Sequence, residues 1–230
     1  ERKMMWKSYR NHFEAKIMKL QTEKELSELD SYRAEISKIC AEFDGGSSGV
    51  FRLVVPCGAG KTLSALRYAL QTAEHYNKKH IFYIAPFNSI LEQNAGEIAE
   101  YIGDVNAVLK HHSNIVLDSD NGEDEKKYKL LIESWAQSPV IATSAVQFLD
   151  TLFAGKTSNV RRMQALGDSV IIIDEIQALP IKVLKLFNAA MNFLAHFCST
   201  AIVLCSATQP LLDKLNDYQI LPPKSIVFDE

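Results

Sequence analysis

From residue 50 onward, short apolar runs rich in β-branched residues alternate with longer stretches in which apolar residues recur every three or four positions. The runs at 50–56, 81–86, 105–110, 140–143, 170–174 and 201–205 predict strands. The stretches at 63–76, 90–101, 125–135, 146–153 and 183–197 predict helices between them. Val170-Ile171-Ile172-Ile173 is apolar at every position, as a strand must be when helices cover both faces of its sheet. This alternation predicts an α/β fold, a three-layer α/β/α sandwich around a mostly parallel sheet.

Two helical patterns come first. Trp6, Tyr9, Phe13, Ile17 and Leu20 fall on one face of an amphipathic helix within residues 1–30. That helix fits an accessory element, a linker, a partner-binding helix, or simple packing on the domain. Tyr32, Ile36, Ile39, Cys40 and Phe43 mark a second helix, closed by Asp44-Gly45-Gly46-Ser47-Ser48-Gly49. The main domain is expected over 31–222, with 223–230 as a connector. The acidic stretch 118–125 has no core residue and reads as a solvated loop.

Composition narrows the picture. A chain of 230 residues with 47% hydrophobic content supports one sizeable core. A net charge of -3 gives no global basic field, so any nucleic-acid contact must be local. Cys40, Cys57, Cys198 and Cys205 are scattered without metal-ligand spacing, which fits a reducing cytoplasm. No apolar run approaches the roughly 18 to 20 residues needed to span a bilayer, so no membrane is expected. The chain begins at Glu1 and stops soon after its last motif, and reads as a piece of a longer protein.

The candidate chemistry lies at the ends of three predicted strands. Pro56-Cys57-Gly58-Ala59-Gly60-Lys61-Thr62 runs from a strand through a small-residue turn into a helix. Glycines let backbone N–H groups curl around phosphate oxygens, and the helix start adds a positive dipole end. Lys61 would reach the β and γ phosphates of ATP, and Thr62 would place its hydroxyl on Mg2+. Val55 stands where a small residue usually opens such a loop. Asp174-Glu175 follows a buried strand, a costly place for two charges unless a cation compensates. Asp174 as the Mg2+ ligand and Glu175 as the water-activating base are the economical assignments. Ser206-Ala207-Thr208 follows the last apolar strand; its hydroxyls fit either γ-phosphate sensing or an ordinary turn.

In this order, the phosphate loop, Asp174-Glu175-Ile176-Gln177 and Ser206-Ala207-Thr208 resemble motifs I, II and III of superfamily-two helicases. Ala85-Pro86-Phe87-Asn88-Ser89-Ile90-Leu91-Glu92-Gln93, Lys110-His111-His112-Ser113-Asn114 and the Ala178-Leu179-Pro180 that follows motif II look like the CRISPR-associated helicase-nuclease of type I systems, which the Cascade complex recruits. The likeness covers about 32–215. It implies a RecA-like P-loop NTPase domain that moves along single-stranded DNA using ATP and Mg2+ and feeds a nuclease. By the same resemblance, Lys61, Thr62, Asp174, Glu175 and Gln177 serve the nucleotide, and Ser206 and Thr208 couple hydrolysis to motion. Asn88, Ser89, Thr143 and Ser144 would touch the DNA backbone.

Three departures qualify that picture. No His-Asp dipeptide occurs, so the family's HD nuclease domain is absent from this chain, and His111-His112 is assigned no metal. The second RecA-like lobe, source of arginine fingers, is also absent, so weak ATP binding and poor hydrolysis are expected of the piece alone. The adenine-reading glutamine of many relatives has no clear counterpart; Arg33 lies near its place. The alternatives are another superfamily-two helicase, such as an RNA helicase or restriction translocase, and a non-catalytic nucleotide-binding module.

Overall fold

The computed structural model describes residues 1–22, 27–56, 58–112, 122–207 and 219–227, with side chains from 127 onward in the segment that starts at 122. The strands are β1 (Gly49–Val54), β2 (Ile81–Ala85), β3 (Val108–His111), β4 (Val140–Ser144), β5 (Val170–Ile173), β6 (Ala201–Ser206) and β7 (Lys224–Ser225). The helices are α1 (Arg2–Thr22), α2 (Glu28–Glu42), α3 (Lys61–Tyr76), α4 (Asn88–Ile102), α5 (Gly122–Ser134), α6 (Ala145–Phe153), α7 (Thr157–Leu166) and α8 (Leu184–Phe197). Among the described residues the sheet runs β3-β4-β2-β5-β6-β1-β7, and every pairing is parallel.

The apolar strands divide their side chains between two cores. Val170 and Ile172 face the layer of α1 to α4, with Phe51, Leu53 and Tyr83. Ile171 and Ile173 face the layer of α5 to α8, with Phe82, Ile84 and Phe187. Covering both faces is what an all-parallel sheet requires, because each crossover leaves a helix on one side or the other.

Helix α1 lies on α3 and α4. Trp6 and Phe13 are fully buried, and Met5, Tyr9 and Ile17 pack beside them. The Trp6 indole Nε1 donates to the Lys78 carbonyl at 2.7 Å, and the Phe13 ring lies 5.4 Å from that of Tyr101. Leu20, at the end of the same stripe, is exposed.

Four elements differ from the pattern-based expectation. The strand expected over 105–110 begins only at Val108, because Asp104 accepts from the Asn106 N–H at 3.0 Å and folds 105–107 into a single 3-10 turn. Helix α7 had no visible apolar stripe because its inward face carries Asn159 and Arg162. Arg162 Nε donates to the Ile132 carbonyl at 2.6 Å, its guanidinium lies 5.5 Å from the Trp135 ring, and Asn159 Nδ2 donates to the Asp150 carbonyl at 2.9 Å. Lys224–Ser225, within the segment read as a connector, pairs with β1 as a seventh strand. The helix expected over 125–135 starts at Gly122, inside the stretch read as a solvated loop; residues 118–121 of that stretch lie outside the described ones. No described helix is long and apolar enough to cross a membrane.

His111 closes β3 with its ring 5.6 Å from Trp135. Burial, then the charges of Arg162 and His112, push its pKa down from the ordinary 6.5 to about 4. Between those two values the unfolded chain binds the extra proton, so this group's stabilisation is present above pH 6.5 and lost as pH falls toward 4. A shift of this size is worth about 3 to 3.5 kcal/mol. Urea unfolding of wild type between about pH 7 and about pH 4.5 should show that loss, and His111→Gln should remove most of it.

Candidate functional site

The phosphate-loop segment leaves β1 at the carboxyl edge of the sheet. Val55 is fully buried, and its N–H donates to the Ser206 carbonyl at 3.1 Å. The position usually filled by a small residue is therefore a core position here, and the curl is made further on. Gly58 (φ 80°) and Gly60 (φ 77°) both adopt left-handed conformations that other residues reach only with strain. Between them Ala59 is buried, with its N–H on the Pro56 carbonyl at 3.1 Å. Pro56 is exposed. Gly60 is the residue before α3, which opens with Lys61 and Thr62, and its carbonyl accepts from Ser64 N–H at 3.0 Å. Cys57 lies outside the described residues. Arg33 of α2 braces the turn, its Nε donating to the Gly58 carbonyl at 2.8 Å while its guanidinium pairs with Asp30 at 2.9 Å.

The acidic pair sits at the tip of β5. Asp174 is buried, and its N–H continues the ladder to the Ile84 carbonyl at 2.8 Å. Glu175 turns the chain through a left-handed conformation (φ 49°, ψ 49°), a strained state for a side-chain-bearing residue. That turn aims both carboxylates at α3. Lys61 Nζ lies 3.1 Å from Asp174 Oδ1 and also pairs with Glu175, whose other oxygen accepts from the exposed Gln177 amide. Residues 113 positions apart in sequence thus meet at one point. Burial alone would lower the Lys61 pKa, but the Glu175 hydrogen bond and the Asp174 charge outweigh it and hold the ammonium protonated.

Two residues that the sequence reading passed over complete this cluster. The Tyr83 hydroxyl, from β2, donates to Asp174 Oδ2 at 2.7 Å, and the Asn94 amide, from α4, donates to the Tyr83 oxygen. Burial and the Asp174 charge push the Tyr83 phenol far up, so it stays a donor. The signal was available: a tyrosine inside the apolar run 81–85 needs a partner for its hydroxyl, and Asn94 shares the inward face of α4 with Leu91, Ala95 and Ile98.

A cleft of about 780 Å³ opens beside this cluster, lined by Gly58, Gly60, Lys61, Thr62, Asp174 and Glu175 among others. One lysine faces two acidic side chains here, an imbalance that suits a cation. No group of three or more His, Cys, Asp or Glu side chains among the described residues is arranged to hold a metal alone. Mg2+ keeps most of its ligands as water and phosphate oxygens, so the hard oxygens of Thr62 and Asp174, both on the cleft lining, would be a sufficient protein share.

The remaining predicted residues are dispersed along the same sheet edge. Ser206 ends β6, between the tips of β1 and β5, and is buried. Thr208, its expected partner, lies outside the described residues. Asn88 and exposed Ser89 open α4. Thr143 is fully buried with its hydroxyl donating to the His111 carbonyl at 2.9 Å, so it supports the strand tip and presents no hydroxyl outward. Ser144 caps α6, its oxygen accepting from Gln147 N–H at 3.3 Å. His111 and His112 serve different partners, the first packing on Trp135 and the second pairing with Glu92 of α4. Ser113 and Asn114 lie outside the described residues.

With this geometry in place, known proteins offer a comparison. The family model described as DEAD/DEAH box helicase matches residues 37–216. The CRISPR-associated nuclease/helicase Cas3 of Haloferax volcanii is 27% identical over 189 residues, 74% of this chain and 20% of that protein. Crystal structures of T. fusca Cas3 share the RecA-like fold; the ADP form superposes with a TM-score of 0.62 at 18% identity, over 80% of this chain and 21% of that one. The DUF1998 helicase MrfA bound to DNA matches 94% of this chain and 29% of its own, with a TM-score of 0.59 at 15% identity. The chain spans about a fifth of the length of the Cas3 relatives it matches.

The turn makes a direct test possible without nucleotide. Gly60→Ala forces an L side chain into a left-handed conformation and should cost about 1 to 2 kcal/mol. Gly96, inside α4 with open space where a Cβ would go, is its control; Gly96→Ala should stabilise by about 0.5 to 1 kcal/mol. Urea midpoints of the two variants should move in opposite directions.

Proposed function

The chain belongs to the DEAD/DEAH box helicase family, and from that premise we propose that it is the ATP-binding lobe of a motor that moves along single-stranded DNA in type I CRISPR interference. The observation that carries this reading is the meeting of Lys61 with Asp174 and Glu175 beside a cleft of nucleotide size. Pro56 to Thr62 form the phosphate cradle, with Lys61 on the β and γ phosphates. Thr62 and Asp174 hold Mg2+, which neutralises phosphate charge when bound. Glu175 orients and deprotonates the attacking water, with Gln177 steadying its carboxylate.

On the same reading, Asn88, Ser89 and Ser144 take phosphates of the DNA backbone at the carboxyl edge, with Thr143 bracing the strand beneath them. Ser206 and Thr208 pass the state of the nucleotide toward that edge. Residues 31–222, with β7 (Lys224–Ser225) added at the edge of the sheet, make up the working lobe. The first helix packs on it, and the end of the chain leads toward a second RecA-like lobe. That lobe, an HD nuclease domain and the Cascade complex are the partners, in the cytoplasm. Arginine fingers come from the second lobe, so this lobe by itself is expected to bind ATP weakly and hydrolyse it poorly. Relationship to Cas3 proteins, at 27% identity, supports the CRISPR assignment over a general helicase. The fold match to MrfA, over 94% of the chain, favours a second reading, another superfamily-two helicase.

Mg-ATP at about 100 times its dissociation constant should stabilise the wild-type chain by about 2.7 kcal/mol, and Lys61→Ala should lose that gain. Differential scanning fluorimetry with and without Mg-ATP reads both; an equal shift in the two proteins would remove the nucleotide reading. ATP turnover by the full-length parent should rise with single-stranded DNA, and a rise with RNA alone would favour the second reading.

A further inference from the structure

We propose that Tyr83 and Asn94 are positioning residues that fix the carboxylate of Asp174 so that one chosen oxygen, Oδ1, faces the cation. The inference rests on the nucleotide reading of the cleft and deepens it.

The argument begins with what each group is able to donate. The Asp174 carboxylate only accepts, so the 2.7 Å contact to Oδ2 must carry the single proton of the Tyr83 hydroxyl. With that proton committed, the Tyr83 oxygen can only accept from its second neighbour, and Asn94 supplies an Nδ2 hydrogen. The direction of the chain is therefore fixed from α4 through β2 to β5. Tyr83 is 1% exposed, so water does not compete for its bond to Asp174, while Asn94, 9% exposed, stands at the cleft wall.

The other oxygen is held just as firmly. Oδ1 accepts the Glu175 N–H at 2.9 Å and faces Lys61 Nζ at 3.1 Å. A carboxylate is free to rotate about its last bond and exchange its oxygens. Here one oxygen is tied to the core by Tyr83, and the other is left on the cleft side. A ligand oxygen that is already oriented loses less freedom when a cation arrives, and such outer hydrogen bonds commonly set metal affinity. Tyr83 touches neither nucleotide nor cation in this arrangement; it acts through Asp174.

The test follows thermal unfolding of this chain with a saturating non-hydrolysable ATP analogue while MgCl2 is titrated, reading the Mg2+ concentration at half the full shift. Tyr83→Phe should need about tenfold more Mg2+, and Asn94→Leu about threefold more, given the usual strength of hydrogen bonds to charged groups. The shift with the analogue and no Mg2+ should be unchanged in both. Because the two act as one chain, the double variant should need no more Mg2+ than Tyr83→Phe alone. A purely structural role would lower the melting temperature and leave the Mg2+ midpoint in place, and that result overturns the inference. So does a double variant equal to the product of the singles. If Tyr83→Phe fails to fold, Asn94→Leu, at the cleft wall, decides alone. A folded wild-type chain with no Mg2+-dependent shift removes the nucleotide reading and this inference together; a wild-type shift with unmoved variants removes only the inference.

Discussion

The arrangement depends on a parallel sheet delivering three consecutive strand tips to one edge. β1 and β5 are not neighbours; β6 lies between them, so their ends stand roughly 10 Å apart at the usual strand spacing. Lys61 begins the helix that follows β1, and its long side chain covers much of that gap to reach Asp174 and Glu175. A one-residue slip in β5 would turn Asp174 to the opposite layer, away from both Lys61 and Tyr83. The continuous apolar faces of β5 and β6, gripped by two helical layers, make such a slip expensive. The interior packing thus sets the geometry of the polar edge.

Much of this was legible in the sequence, because it is written in the two signals that sequence carries best. The alternation of β-rich runs with helical periodicity gave the α/β sandwich, and the glycine turn before Lys61 and the acids after Ile173 marked the edge where ligands collect. The parts that were not legible share a cause. Helix α7 is held by the polar contacts of Asn159 and Arg162, which leave no apolar stripe to read. β7 is two residues long and owes its place to the β1 backbone. Tyr83 and Asn94 looked like ordinary members of a core strand and a core helix face. Their polar atoms matter only because folding brings Asp174 within reach, a relation across 91 residues that no local pattern encodes.

The first helix shows the same division between pattern and partner. Its stripe of Trp6, Tyr9, Phe13 and Ile17 declared an apolar face, but not what would cover it. α3 and α4 supply that cover, and polar links accompany it, among them Glu14 with Arg67 at 2.8 Å and Tyr9 with Asp104 at 3.0 Å. Leu20 departs from the stripe because the end of the helix borders the cleft.

The position of Lys61 has a consequence for how the cleft can be filled. Its ammonium already faces two carboxylates in a largely buried place, where leaving either charge without a partner costs several kcal/mol. Lys61 can turn toward a phosphate only if Asp174 and Glu175 find other partners at the same time. Asp174 keeps the Tyr83 and Glu175 N–H donors throughout, which lowers the cost of releasing the lysine. Among the described residues the other side chain bonded to Glu175 is the exposed Gln177 amide, so on the proposed reading Glu175 is the carboxylate freed to engage a water. On that reading a phosphate group and a cation entering together would satisfy Lys61 and Asp174 in one step, whereas either alone would leave a charge unmatched. On the proposed reading the cluster would bind the two cooperatively, because each supplies the charge that the arrival of the other leaves unmatched in a largely buried place.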